Sequence, residues 1–452
     1  MNFEVDNEII DFDLAQKFEI DFLQKNELLP FKQNNFVTKV LCSDDKSLIL
    51  STLEQAFHSS ILFVQIPKKQ LLLNLDNIQT KINLWKMLKM SQFDQTKIEH
   101  FFQILFDFCI QKNISDIHIE SKPSHFMIRV RIDGILLKLL NADESYFGIL
   151  SSYLKLISKL DISQKRLPQN GRFTREFEHS KFDFRISCMP TINGESLVTR
   201  ILNNQTIDIS LCKLGFGEQE LDLIKHCITF SNGLILVSGP TGSGKTTTLY
   251  AIIKELNSLS KKIVTIEEPV EHKIENIQQI GINNEIGLDF ITVLKNTLRQ
   301  DPDIIMIGEI RDKESLNIAL AAALTGHLVV ATIHTNSAIL TIDRMLDLGA
   351  DPFLISSTLK AVVAQRLVRR LCQDCGGDGC LKCNMSGFLG REIVSEILVS
   401  TQKISEAISK KIPSLQIQKI AIEEGFIKMG ENGKQKVAKK LITLQDLLLS
   451  IE

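Results

Sequence analysis

One octapeptide limits what this chain can fold into more than any other feature: Gly239-Pro240-Thr241-Gly242-Ser243-Gly244-Lys245-Thr246. It fits the phosphate-loop pattern, in which glycines let backbone N–H groups turn inward around phosphate oxygens and a lysine and a hydroxyl come next at fixed spacing. The motif is meaningful only between a strand and a helix. Here it comes after the apolar run LILVS and precedes the helical stretch TTLYAIIKEL. The helix start adds the positive end of its dipole. Lys245 can reach the β and γ phosphates, and the Thr246 hydroxyl can ligate Mg²⁺. Residues Gly239 to Thr246, with Thr247 beside them, are therefore the expected ATP contacts. A chance glycine-rich turn would need neither the strand nor the helix.

From about residue 211 the pattern repeats as strand, loop and helix, with apolar runs at 233–238, 263–266, 304–307 and 328–333. Continuous apolar strands joined by helical crossovers predict a parallel sheet buried on both faces, an α/β fold. In such sheets ligands bind beyond the carboxyl ends of the strands. The run 304–307 delivers Glu309 to that rim, positioned for Mg²⁺ or its water. The segment TIEEPVEH brings Glu267 and Glu268 to the end of another strand, where a carboxylate can orient the attacking water or take its proton. Absent a phosphate loop, these two would read as solvated loop acids. His334 lies just after the strand LVVATI and His327 just before it; His327 could equally be a satisfied structural histidine, a reading that fits His334 less well because it lies at the strand's carboxyl end.

Nine cysteines divide into two sets. Cys42, Cys109, Cys188, Cys212 and Cys227 are scattered in apolar or strand-like settings, where a thiol serves as a small hydrophobe. Cys372, Cys375, Cys380 and Cys383 form two Cys-x-x-Cys knuckles around a Gly-Gly-Asp-Gly spacer. Four thiolates at this spacing can close tetrahedrally on one Zn²⁺ and fill its coordination sphere, which makes the metal structural. A redox pair or free thiols are the competing readings.

At 452 residues the chain is long enough for several domains. Residues 1–90 mix short helices and strands, such as 36–41, and carry no catalytic motif, as expected of a docking module. Residues 91–210 open with a helical pattern at 101–110 and continue as alternating strands, with Asp133-Gly134 as a hairpin turn. Residues 211–366 hold the nucleotide motifs, and 367–452 hold the cysteines and amphipathic helices. With 44% apolar residues, 23% charged residues and a net charge of -2, a dedicated nucleic-acid binder is disfavoured. The acidic start MNFEVDNEIIDFD lacks the features of a signal peptide, and no run reaches the roughly 18 apolar residues of a membrane span. A cytoplasmic location is expected.

These motifs, in this order, resemble the secretion ATPase superfamily, in its type II secretion and type IV pilus assembly branch. LRQDPDIIMIGEIRD looks like that family's Walker B segment, TIEEPVEH like its aspartate box and TGHLVVATIHTN like its histidine box. SDIHIE, VRIDG, RLPQNGRF and DFRISCMPTINGES look like its amino-terminal partner domain. AQRLVRRLC, GFLGR and the stretch from GFIKMGENG to ITLQDLL match its tail. The likeness is strong over residues 100–450 and weak over the first 90. Three departures stand out: Glu268 where the family has Asp, Asn170 where Asp is commoner, and a short spacer between the cysteine pairs.

The resemblance implies a RecA-like ATPase core preceded by a PAS-like α+β domain and a small N-terminal module, with a zinc-binding, helical C-terminal region after it. It implies a catalytic set of Lys245, Glu267, Glu309 and His334, with Glu267, the first acid of its box, as the catalytic glutamate. Arg131, Arg166, Arg172 and Arg185 would approach the phosphates, a task that suits planar guanidinium donors; alone, each could equally form a surface ion pair. A homo-hexameric ring is implied, working on an inner-membrane platform protein through a membrane-anchored recruiting protein, with no stable nucleic-acid partner. The cysteine element is linked in the family to assembly motors rather than retraction motors, whose AIRNLIRE motif is missing here. A nucleic-acid translocase or conjugation-type ATPase is the alternative, but only the short clusters LVRRL and KVAKKL could supply a basic pore. A scaffold without turnover is disfavoured by the intact Lys245, Thr246, Glu267 and Glu309. An ABC-type subunit lacks its LSGGQ-like signature, and a cyclic-dinucleotide site lacks its RLGxxL pattern.

Overall fold

The computed structural model describes residues 10–34, 36–89, 95–132, 134–178, 180–203, 210–283, 286–383 and 386–451. By their contacts, Met1–Gln205 and Cys372–Leu389 form one unit, and Thr206–Leu371 and Gly390–Glu452 form another.

In the first unit a three-stranded sheet is made by β1 (Leu28–Gln33), β2 (Val37–Cys42) and β3 (Ser60–Gln65). A six-stranded sheet is made by β4 (Asp116–Ser121), β5 (His125–Ile132), β6 (Ile135–Asp143), β7 (Gln169–Phe177), β8 (Ser180–Thr191) and β9 (Gly194–Asn203). Its order is β6-β5-β4-β9-β8-β7, with neighbours antiparallel. The turn expected at Asp133-Gly134 falls between β5 and β6, although Asp133 itself lies outside the described residues. Period-two alternation explains the layering. On β8, Phe182, Phe184, Ile186 and Cys188 are buried while Lys181, Arg185 and Met189 are exposed. Phe184 stacks on Phe173 at 4.7 Å and meets Phe106 of the helix Gln95–Gln111 at 4.8 Å, so that helix covers the apolar face. The opposite face of β8 carries Lys181, Asp183 and Arg185.

The second unit holds a seven-stranded sheet of β10 (Gly233–Ser238), β11 (Ile263–Glu267), β12 (Gln278–Gly281), β13 (Ile304–Ile307), β14 (Leu328–Ile333), β15 (Leu359–Leu371) and β16 (Phe388–Val399). Its order is β12-β11-β13-β14-β10-β15-β16. The four apolar runs expected as strands are β10, β11, β13 and β14, and all the registered pairs among β10 to β15 are parallel. Alternate residues of each strand enter different cores. Leu234 and Leu236 of β10 join one cluster with Ile305, Ile307, Val329 and Ala331, whereas Ile235 and Val237 join another with Ile304, Met306, Leu328 and Val330. Both faces are therefore covered, as continuous apolar strands require. No helix among the described residues is long and apolar enough to cross a membrane.

One charged pair lies deep in the first unit. Lys155, on the helix Phe147–Ile157, is 1% exposed and is hydrogen-bonded to Glu195 of β9, itself 5% exposed. Ser151 Oγ donates to the other Glu195 oxygen at 3.1 Å, and Lys155 also donates to the Gln164 carbonyl at 2.8 Å. Removing one partner of a buried ion pair costs about 3 to 5 kcal/mol, because the other charge is stranded. Glu195→Gln should speed hydrogen exchange of β9 amides by roughly a hundredfold or more. Lys295→Ala, which breaks an exposed pair with Glu314, should change exchange by less than about fivefold, corresponding to at most about 1 kcal/mol. Mass-spectrometric exchange on the two variants checks both.

Candidate functional site

Because β10, β11, β13 and β14 are parallel and in register, their C-terminal ends and the loops attached to them lie on one rim. After β10 the phosphate loop turns into the helix Lys245–Leu256, with Gly244 as its N-cap at φ 86°. Gly239, at φ 149°, leaves no room for a side chain: a Cβ there would lie 2.4 Å from Ser243 Oγ and 2.6 Å from the Gln365 carbonyl. Lys245 Nζ donates to the carbonyls of Gly239 at 2.9 Å and Pro240 at 3.0 Å. Burial holds its ammonium below the ordinary lysine pKa, with Glu309 opposing the shift and Arg366 adding to it.

The loop is braced from β15. Fully buried Gln365 donates from Nε2 to the Ser243 carbonyl at 2.8 Å and accepts from Thr248 Oγ1 at 2.9 Å. Nothing local in the sequence marks this residue, which lies more than a hundred positions from the loop it supports.

Facing the loop, a cleft of about 610 Å³ is lined by residues Thr241 to Thr247 and by Glu267, Glu268, Glu309, Arg311 and His334. Glu267, the last residue of β11, is 3% exposed. Its Oε1 accepts from Thr265 Oγ1 at 2.6 Å and Gln279 Nε2 at 3.2 Å, and its Oε2 accepts from the Tyr250 hydroxyl. Glu309, two residues beyond β13, has Oε2 2.9 Å from Arg311 Nε and Oε1 3.0 Å from His334 Nε2. Arg311 also donates to Glu268 Oε2 at 3.1 Å. Glu268, Arg311, Glu309 and His334 thus form a continuous polar chain along the rim, in which the guanidinium neutralises two acids. Arg311 stands inside the GEIRD segment, and Tyr250 inside TTLYAIIKEL, yet neither is singled out by the motifs themselves.

His327 lies at the opposite end of β14. Its Nδ1 is 2.9 Å from the Ala322 carbonyl at the end of the preceding helix, a structural contact.

The four expected arginines belong to the first unit. There Asp116 of β4 is opposite Arg131 of β5 and Arg200 of β9, Arg200 is opposite Arg185 of β8, and Arg185 is opposite Arg172 of β7. Three of the four therefore share one row across five strands. Arg200 is a further member, and Asp116, 5% exposed, accepts from its Nε at 2.9 Å. Arg166 stands outside the row in the exposed loop before β7, its backbone N–H bonded to Gln164 Oε1 at 2.9 Å. Like charges on adjacent strands repel, and Asp116 between Arg131 and Arg200 offsets part of that cost.

The four cysteine sulfurs of Cys372, Cys375, Cys380 and Cys383 lie within 4.8 Å of one another. Cys372 and Cys380 are 3.8 Å apart, Cys375 and Cys383 3.8 Å, and Cys380 and Cys383 3.7 Å. A tetrahedron with zinc–sulfur bonds of about 2.3 Å has edges of about 3.8 Å, whereas a disulfide requires about 2.05 Å. Backbone N–H groups of Gly379, Cys380 and Gly387 point at the Cys375 and Cys383 sulfurs at 3.1 to 3.3 Å, which favours thiolates. The set therefore fits a closed Zn²⁺ site.

A family model described as Type II/IV secretion system protein matches residues 91–449. The chain is 39% identical over 364 residues to Type II secretion system protein E of Aeromonas hydrophila, covering 75% of this chain and 72% of that protein. It is 38% identical over 374 residues to the type IV pilus assembly ATPase PilB of Myxococcus xanthus, covering 76% and 66%. Among solved structures it is similar to the pilus retraction motor PilT with bound ADP, at a TM-score of 0.55 and 26% identity, covering 76% of this chain and 95% of that one.

Replacing one ligand tests the metal centre. Cys380→Ser should lose zinc, measured as metal per chain by mass spectrometry, and loosen the local knuckle, while a nucleotide-binding titration finds the phosphate loop intact. One zinc retained per Cys380→Ser chain would contradict the four-ligand site.

Proposed function

The chain belongs to the Type II/IV secretion system protein family, and on that footing we propose residue roles in the ATP hydrolysis that defines its class of secretion and pilus motors. The observation that carries the reading is the one cleft in which the phosphate loop, Glu267, Glu309 and His334 meet at a common strand rim. Residues Gly239 to Thr247 cradle the polyphosphate, and Lys245 exchanges its two loop carbonyls for β- and γ-phosphate oxygens. Thr246 and Glu309 hold Mg²⁺ or its water, and this ion supplies charge neutralisation at the phosphates. Glu267 orients the attacking water from a fixed anionic position, and His334 steadies Glu309. Arg131, Arg166, Arg172 and Arg185 are the guanidiniums assigned to the phosphates, in a homo-hexameric ring.

The output is assembly of a pilus or pseudopilus, in type II secretion, pilus extension or DNA uptake. Support comes from relatives named for secretion and for pilus assembly, and from the tetracysteine element. Residues 1–90 would dock a membrane-anchored recruiting protein, and the ring would act at the cytoplasmic side of the inner membrane on a platform protein. Cys372, Cys375, Cys380 and Cys383 would hold Zn²⁺, which would supply a structural cross-link between the two knuckles.

Steady-state hydrolysis of Mg-ATP by the full chain tests the roles. Lys245→Ala should abolish both binding and turnover. Glu309→Gln keeps the phosphate cradle, so it should bind ATP nearly normally while kcat falls roughly a hundred- to thousandfold, the size associated with losing one preorganised charge-stabilising group. Strong residual hydrolysis would remove Glu309 from the catalytic set.

A further inference from the structure

Tyr250 is the one phenol in the nucleotide-site core, 2% exposed, and the bonds of its hydroxyl go to Glu267 and to the loop that follows it. Its hydroxyl makes three contacts at once. It donates to Glu267 Oε2 and accepts backbone N–H groups from Glu271 at 3.2 Å and His272 at 3.1 Å. Burial raises its pKa, and the bond to Glu267 raises it further, so the proton stays on the phenol and the phenol stays a donor.

The position of Tyr250 on its helix matters as much as its contacts. It lies four residues after Thr246 on the helix Lys245–Leu256, and residues at that spacing share one helix face. The helix that presents the lysine and the Mg²⁺-binding hydroxyl therefore also presents the group that holds the acid of β11. With the Glu271 and His272 amides on the same oxygen, the loop after Glu267-Glu268-Pro269 is tied to that helix too.

We propose that Tyr250 is the positioning residue of Glu267, fixing the carboxylate relative to the phosphate loop through one rigid helix. The proposal rests on the reading of Glu267 as the water-orienting acid. Thr265 and Gln279 fill the other carboxylate oxygen from β11 and β12, so they set its plane within the sheet. Tyr250 links it to the helix that meets the nucleotide. A solely structural phenol would serve binding and stability; a positioning phenol serves the step in which water attacks.

Tyr250→Phe keeps the ring and removes only the hydroxyl. Single-turnover and steady-state hydrolysis of Mg-ATP by the full chain should show kcat lowered about ten- to hundredfold, the factor carried by a hydrogen bond to a charged group. KM and the affinity for a fluorescent ATP analogue should stay close to those of the unaltered protein, while the thermal midpoint falls, because Glu267 Oε2 and two buried amides lose their partner. Glu267→Gln should be slower still, and the double variant no slower than Glu267→Gln alone, because Tyr250 acts through the carboxylate that Glu267→Gln removes. Unchanged kcat in Tyr250→Phe beside a crippled Glu267→Gln overturns the positioning role and leaves Glu267 in place. Loss of ATP affinity in step with kcat also overturns it, as does a full additive loss in the double variant. Normal turnover by Glu267→Gln overturns the reading of Glu267 itself.

Discussion

The in-register parallel pairing of β10, β11, β13 and β14 is the constraint on which the nucleotide site depends. It forces the residues after each strand onto one rim, so the phosphate loop, Glu267, Glu309 and His334 converge although they are spread over nearly a hundred positions. Burial on both faces holds the pairing. Each fully buried Leu, Ile or Val contributes roughly 1.5 to 3 kcal/mol, while each net hydrogen bond at the rim contributes about 1 kcal/mol. The strands are therefore fixed by their apolar alternation between two cores, and the rim can carry groups chosen for chemistry rather than for stability.

Those rim groups form a charge-compensated set. Three acids converge at the cleft, and each has donors of its own: Glu267 takes Tyr250, Thr265 and Gln279, while Glu268 and Glu309 share Arg311, and Glu309 adds His334. The difference in burial separates their tasks. Glu267, at 3% exposure, is locked to the framework. Glu309, with a side chain 25% exposed, is held among the described residues by Arg311 and His334, whose side chains are themselves about half open to solvent. Lys245 obeys the same logic, since two weakly basic carbonyls hold it where a phosphate anion would displace them.

The continuous apolar runs that predict the parallel sheet coincide with β10, β13 and β14 and, within one residue, with β11. The site residues at strand ends were legible for the same reason: a motif fixed where each strand stopped. Gln365, Tyr250 and Gln279 were not, because each acts through a contact made only when distant elements pack. Gln365 reaches the phosphate loop from β15, the strand on the other side of β10, and no local spacing encodes strand order. Arg200 was missed for a related reason. Its neighbours Thr199 and Ile201 make it look like an outward residue of an ordinary strand, and only cross-strand register sets it beside Arg185.

That register gives the first unit its own physical problem. Guanidiniums on neighbouring strands about 4.8 Å apart raise one another's energy, and a row of them persists only if something compensates. Asp116 compensates in part. Its carboxylate is nearly buried beneath Arg131 and Arg200, with Oδ1 2.9 Å from Arg200 Nε, Oδ2 3.9 Å from Arg131 Nε and Ser115 Oγ 2.8 Å from Oδ2. Asp116 sits between the two strands that carry these guanidiniums, and its burial strengthens the attraction that offsets the repulsion between Arg131 and Arg200.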